Sequence, residues 1–377
     1  MSQQDIVNAA ESLAPEIEAA ADSIEQQGRL PDEIVEALEA ASIMRVGIPK
    51  SAGGLQAHPW INTRVMEVLA AADASTSWVT MITTGTSMYV SSYLSDEVCG
   101  NVFDNHGRVV GFVGTRGLAV PVDGGYEVTG RWPFGSGCQH ATWLASGCLV
   151  QGGDGLRLAS DGKPEWRTVV FPAAEAEIIE TWDTQGLRGT GSHDYTVQKL
   201  FVPEAYSFCL QERPSRRAPL YRYRGMFLAN MAGVPLGVAK GALTDARRML
   251  RDSRGKDHPS VHVGLARAEA TIGSARAYFR EALDELYDEL ASSDDDPRPT
   301  SCAKFRLALT NVYEACAEGM LSLQALLGTT TSFKSHPFER RLRDMMTMRL
   351  HAHTGPKNYE PVGRTMLGLD AGIPFFE

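Results

Sequence analysis

The chain has 377 residues, 43% hydrophobic and 22% charged, with 36 Lys and Arg against 46 Asp and Glu. At roughly 150 residues per domain this predicts two or three domains with enough apolar surface for a core, and excludes wholesale disorder. A net charge of −10 argues against a nucleic-acid partner, whose phosphates demand clustered cations.

Residues 1–104 are rich in Ala, Glu and Leu and read as an N-terminal helical domain. The acidic first twenty residues lack the basic start and apolar run of a signal peptide. No run approaches the roughly 18–20 uncharged apolar residues that span a bilayer, so a cytoplasmic protein without a membrane partner is predicted. Pro31-Asp32-Glu33 opens a helix carrying Ile34, Leu38 and Ala41 on one face. Gly47, Pro49, Gly53 and Gly54 interrupt it, and helical spacing resumes at Val65, Val68 and Leu69 and over Trp78–Tyr89.

Residues 105–210 change texture. Glycines crowd between short runs such as Val109–Val113, Thr168–Phe171 and Leu200–Pro203, with turn signals at Asp123-Gly124-Gly125 and Asp161-Gly162. This is the pattern of a central antiparallel β domain. The six cysteines are far apart with no C-x-x-C pair, and read as reduced, mostly buried thiols.

After the polar stretch 212–217, residues 219–377 return to helix as a C-terminal bundle. Leu265, Ile272, Ala275, Phe279, Leu283, Leu286 and Leu290 share one face. Further helices are predicted over Thr300–Leu327 and Phe338–His351.

Gly186-Leu187-Arg188-Gly189-Thr190-Gly191-Ser192 is glycine-rich, but a dinucleotide loop needs a strand before it and a helix after it. Here strand-like residues follow, which favours a tight turn. His351-Ala352-His353 lacks the third ligand of a catalytic zinc site. Ser136 lacks the first glycine of a nucleophile elbow, since Pro133 stands there. The block Gly130–Trp143 combines Trp132, Phe134 and Trp143 with small residues and Ser136. Those residue types fit both a pocket for a flat, polar-edged cofactor and a β core with a serine in a turn.

At these residues the chain resembles the acyl-CoA dehydrogenase fold, in its flavin-dependent monooxygenase branch. The resemblance spans nearly the whole chain. It rests on Ile48-Pro49 with Gly53-Gly54, Ala74–Trp78, the Gly130–Trp143 block, Trp182 with Gly186–Asp194, Val202-Pro203-Glu204, and Arg343-Asp344 with His351. It implies an N-terminal helical domain, a β-barrel-like middle domain and a C-terminal four-helix bundle, assembled as a homotetramer. Counting from Arg343-Asp344, the place of the dehydrogenase base falls on Ala352, a methyl group that cannot abstract a proton.

The implied activity is that of the oxygenase component of a two-component monooxygenase. Reduced flavin (FADH2 or FMNH2) and O2 form a C4a-hydroperoxide that hydroxylates a small aromatic or heteroaromatic substrate, and a separate NAD(P)H:flavin reductase supplies the flavin. An acyl-CoA dehydrogenase-like flavoenzyme with a relocated base is the alternative. By resemblance, Ser136 hydrogen-bonds near flavin N5 and His351 acts as acid or base on the substrate or distal oxygen. Trp132, Phe134 and Trp78 form apolar walls around flavin or substrate. Arg251 falls where the fold sets an arginine against flavin phosphate across a subunit interface, and equally where an exposed helix charge would stand. Thr83–Met88 carries no imidazole, unlike the matching helix of phenol-hydroxylating relatives, which leaves room for an indole ring that needs no phenolate.

Overall fold

The structure, a computed structural model, describes residues 3–373. Five helices come first: α1 (Gln3–Gln27), α2 (Asp32–Ala40), α3 (Pro59–Ala72), α4 (Ala74–Tyr93) and α5 (Asp96–Phe103). Their starts satisfy backbone N–H groups that have no partner inside the helix. Pro59 opens α3 where a missing N–H costs little. Ahead of α4, Asp73 accepts from the Thr76 N–H at 2.6 Å, and ahead of α5, Ser95 accepts from Val98 at 3.2 Å.

Eight strands follow: β1 (Val109–Val110), β2 (Thr115–Val122), β3 (Gly125–Gly135), β4 (Trp143–Val150), β5 (Trp166–Pro172), β6 (Glu177–Ile179), β7 (His193–Pro203) and β8 (Ser207–Cys209). They form one sheet in the order β6-β7-β3-β2-β4-β5-β8, with β1 also on β4. The sheet is mixed rather than antiparallel, because β1 and β2 both run parallel to β4. A hairpin joins β2 to β3, and the chain then passes β2 again in the same direction. β4 is buried along nearly its whole length, and such a central strand reads as a continuous apolar run that carries no sign of direction. The expected strand over 109–113 shrinks to two residues, since the Phe112 N–H leaves the ladder for the Tyr195 hydroxyl at 2.9 Å.

The remaining helices are α6 (Pro219–Arg222), α7 (Gly233–Asp252), α8 (Pro259–Ser292), α9 (Pro299–Leu327), α10 (Pro337–Met348) and α11 (Tyr359–Met366). By length and composition, the 224–252 segment could cross a membrane, contrary to the sequence reading, but 89% of its apolar window is buried inside the protein. It is buried because α7 lies against α3. A Cβ on Gly233 or Gly237 would meet the Thr63 or Glu67 carbonyl oxygen at 2.2 Å. α8 and α9 run side by side, α8 burying Ile272, Phe279, Leu283, Leu286 and Leu290. α10 ends at Met348, short of the expected His351, which stands in the turn beyond it.

Candidate active site

Four separate segments meet here: Trp78 from the second turn of α4, Ser136 just past β3, Thr190 and Ser192 from the turn before β7, and His351 from the turn after α10. The 186–192 segment is a tight turn followed by strand, with Leu187 and Gly191 in the left-handed region. It is pinned on α10, where the Leu187 N–H donates to Asp344 Oδ1 at 2.6 Å. A Cβ on Gly186 would strike the Arg343 carbonyl oxygen at 2.2 Å. Burial pushes the Asp344 carboxyl up to about 7.

The hydroxyls form a chain with a direction. Trp78 Nε1–H donates to Ser136 Oγ at 3.2 Å. Ser136 Oγ lies 2.6 Å from Ser192 Oγ, and Ser192 Oγ lies 2.6 Å from Thr190 Oγ1. Thr190 donates to the Leu187 carbonyl at 2.8 Å. An indole N–H only donates and a carbonyl only accepts. With Thr190's proton spent on Leu187, Ser192 must donate to Thr190 and Ser136 to Ser192. All four side chains are at most 5% exposed, so the order is shielded from water. Ser136 retains one accepting lone pair and no proton to offer.

His351 sits on the far side of Trp78, with ring centroids 5.5 Å apart in an edge contact. Its Nδ1 accepts the His353 backbone N–H at 3.3 Å, so the neutral ring carries its proton on Nε2. Burial pushes its pKa down to about 4, and Lys357 and Arg306 push the same way. His353, its ring 5.5 Å away, is shifted down for the same reason. Rings then continue from His353 to Phe227 at 6.2 Å and from Phe227 to Tyr89 at 5.4 Å. Those three residues line a cavity of about 670 Å³ that also reaches Ala352.

Three further expected site residues stand outside this cluster. Trp132 is fully buried in the β core, its Nε1–H on the Gly147 carbonyl at 2.8 Å and its ring stacked on Tyr195 at 5.4 Å. This corrects its reading as a cleft wall: it alternates inward on β3 while Phe134 does not. Phe134, at φ +58°, is 61% exposed and edge-on to Trp182 at 6.3 Å. Arg251 is exposed in the last turn of α7 and has no hydrogen-bond or ion-pair partner among the described residues. Sequence reasoning named neither Thr190 nor Ser192 for the site, although both stood in the quoted glycine-rich turn. It weighed His353 only as a metal ligand, and passed over Phe227 and Arg306, which carry no local signature.

Comparisons with known proteins bear on this arrangement. Residues 2–100 match the acyl-CoA dehydrogenase N-terminal domain and residues 229–356 the acyl-CoA dehydrogenase C-terminal domain. The chain is 30% identical to indole-3-acetate monooxygenase of Pseudomonas putida, over 94% of either chain. It is 28% identical to the flavin-dependent monooxygenase oxygenase subunit HsaA of Mycobacterium tuberculosis, over 98% of this chain and 97% of that one. Its fold matches XiaF from Streptomyces, solved in complex with FADH2 and glycerol. The TM-score there is 0.90 at 24% identity, covering 99% of this chain and 97% of that one.

Proposed function

This chain belongs to the acyl-CoA dehydrogenase family, in its flavin-dependent monooxygenase branch, and on that premise we propose that it is the oxygenase component of a two-component enzyme that hydroxylates a small aromatic or heteroaromatic ring. Reduced flavin, FADH2 or FMNH2, supplies the activation of O2 when bound. A separate NAD(P)H:flavin reductase delivers it, since the glycine-rich segment is a turn and no dinucleotide fingerprint occurs. The six cysteines are all free and buried, in keeping with work in the reducing cytoplasm.

The donor set fits the reduced cofactor. Dihydroflavin carries a proton on N5, and Ser136 has a lone pair left to accept it. Oxidised flavin presents a lone pair at N5, for which Ser136 has no proton. Holding a proton at N5 is this hydroxyl's role, and the chain through Ser192 and Thr190 keeps it oriented. Trp78, between Ser136 and His351, would stand between bound flavin and substrate and keep water from both. His351, neutral at pH 7, would offer its Nε2–H as a donor to the reacting oxygen or the substrate ring. Phe134 would cover the flavin, and Arg251 would meet its phosphate from a neighbouring subunit of a homotetramer. With no imidazole on Thr83–Met88, an indole ring suits the site better than a phenol that must first lose a proton.

The observation that carries this reading is the meeting of a one-way hydroxyl chain and a neutral imidazole across one indole, beside a cavity with alanine at 352. The test is reconstitution with a flavin reductase, NADH, flavin and O2 over a panel of indoles and phenols. We expect a hydroxylated ring, with Ser136→Ala shifting turnover toward free hydrogen peroxide. One lost hydrogen bond of about 0.5–1.5 kcal/mol corresponds to a roughly 2–10-fold higher peroxide-to-product ratio. Absence of oxygenated product across the panel, together with rapid dye-coupled oxidation of an acyl-CoA, would overturn the assignment.

A further inference from the structure

The hydroxyl chain at the candidate site ends on the carbonyl of Leu187, a residue that another helix holds in place. Leu187 is buried and takes a left-handed φ of +54°, which a non-glycine residue keeps only where its surroundings hold it. It is held on both sides. Its N–H donates to Asp344 Oδ1 on α10 at 2.6 Å. Its carbonyl accepts from the Trp182 indole N–H at 2.8 Å, the Thr190 backbone N–H at 3.1 Å and the Thr190 hydroxyl at 2.8 Å. On α10, Arg343 also donates to the Gln185 carbonyl at 2.5 Å. At its far end the turn joins the Ser136 segment, where the Gly137 N–H donates to the Thr190 carbonyl at 3.0 Å.

Thr190 has one hydroxyl proton and two acceptors in reach, the Leu187 carbonyl at 2.8 Å and Ser192 Oγ at 2.6 Å. While the carbonyl takes that proton, Ser192 donates to Thr190, Ser136 donates to Ser192, and Ser136 keeps a free lone pair. With the carbonyl displaced, Thr190 donates to Ser192, Ser192 donates to Ser136, and Ser136 has a proton to offer. The choice between the two orders lies with the position of one buried carbonyl. A buried N–H without an acceptor is costly. Loss of the Asp344 acceptor therefore drives Leu187 out of its strained conformation and carries its carbonyl away from Thr190.

We propose that Asp344 is a positioning residue for the cofactor: through the Leu187 backbone it fixes the order of the hydroxyl chain, and so makes the site prefer reduced over oxidised flavin. The proposal rests on the reading that places Ser136 at flavin N5. Asp344, 5% exposed on α10, acts through the backbone and not by contact with the flavin. Its effect is specific to redox state, because N5 carries a proton in one state and a lone pair in the other. A carboxylate that only braced the fold would weaken both affinities alike.

The test is anaerobic calorimetric titration of the intact protein with FAD and FMN, each in oxidised and dithionite-reduced form. In the parent the reduced form should bind more tightly. Asp344→Ala should lower the reduced-to-oxidised affinity ratio by roughly 2–10-fold, the contribution of one hydrogen bond. Thr190→Val, which removes the hydroxyl next to the carbonyl, should do the same. Asp344→Asn keeps an acceptor for the Leu187 N–H and should retain the parent's ratio. Should Asp344→Ala fail to fold, Asp344→Val, which leaves less of a void and offers no acceptor, decides. An unchanged ratio in the Asp344 variant, while Ser136→Ala lowers it, overturns the proposal and leaves the N5 reading standing. A ratio that falls equally in Asp344→Asn also overturns the proposal, since the acceptor would not be the cause. An unchanged ratio in Ser136→Ala overturns the N5 reading and the proposal with it.

Discussion

An imidazole stays neutral at pH 7 when the cost of burying its charge exceeds what nearby anions return. At His351 no carboxylate offsets that cost, and two cations add to it. Its folded pKa lies below the unfolded value of 6.5, so the unfolded chain takes up the proton first as pH falls. Stability tied to this group is therefore full above pH 6.5 and lost as pH drops through about 4. An NMR titration of the His351 ring carbons should show a midpoint near 4. His351→Gln, which cannot titrate, should lose less stability than the parent between pH 6.5 and 4. A midpoint above 6 would mean that the ring enters the reaction as a cation and not as an Nε2–H donor.

Strands and helices decide which side chains are available to the site. On β3, Trp132 and Phe134 are two apart but do not share a face, because the register with β7 shifts between Trp132 and Gly135 and Phe134 takes a left-handed φ. Trp132→Ala should therefore cost about 3–5 kcal/mol in urea unfolding, as a core tryptophan does. Trp132→Phe, which strands the Gly147 carbonyl, should cost about 1–3 kcal/mol and leave reduced-flavin affinity unchanged. A large loss of flavin affinity in Trp132→Phe would return that ring to the cleft. The joint between α10 and the 186–192 turn titrates as well. Asp344 has a raised folded pKa of about 7, so its contribution is present below pH 4 and fades as pH rises through 7. Asp344→Asn keeps an acceptor for the Leu187 N–H. Its Tm should exceed the parent's at pH 8 and not at pH 4, by about 1–2 °C per kcal/mol recovered.

At the scale of the whole molecule, the single chain leaves large apolar side chains in water. Phe134, Leu350, Met366 and Leu367 are each more than 60% exposed. A homotetramer would cover them and bring Arg251 to a neighbour's flavin. Light scattering should return about four times the chain mass of 41.0 kDa. A monomeric result would leave Arg251 as a solvated helix charge.

Much of this architecture was legible in the order of residues, because its causes are local. Apolar spacing marks α8 and α9, prolines mark where α8, α9 and α10 begin, and glycines with β-branched runs mark the strands. The alanine at 352 with histidines on either side, on which the oxygenase reading draws, is also written in the chain. Other features were not legible, because they depend on partners distant in sequence. Trp132 and Trp78 look alike in composition, yet packing on Tyr195 places one in the core while a bond to Ser136 places the other at the site. The mixed sheet follows from where β4 returns, which no periodicity records. The direction of the hydroxyl chain needs a donor-only indole from α4 and an acceptor-only carbonyl from the 186–192 turn at its two ends. The cavity beside His353 draws Arg224, Arg306 and Arg364 from three separate helical segments. Local sequence set the elements; tertiary packing alone set hydrogen-bond direction, charge convergence and burial, since each is a property of neighbours in space.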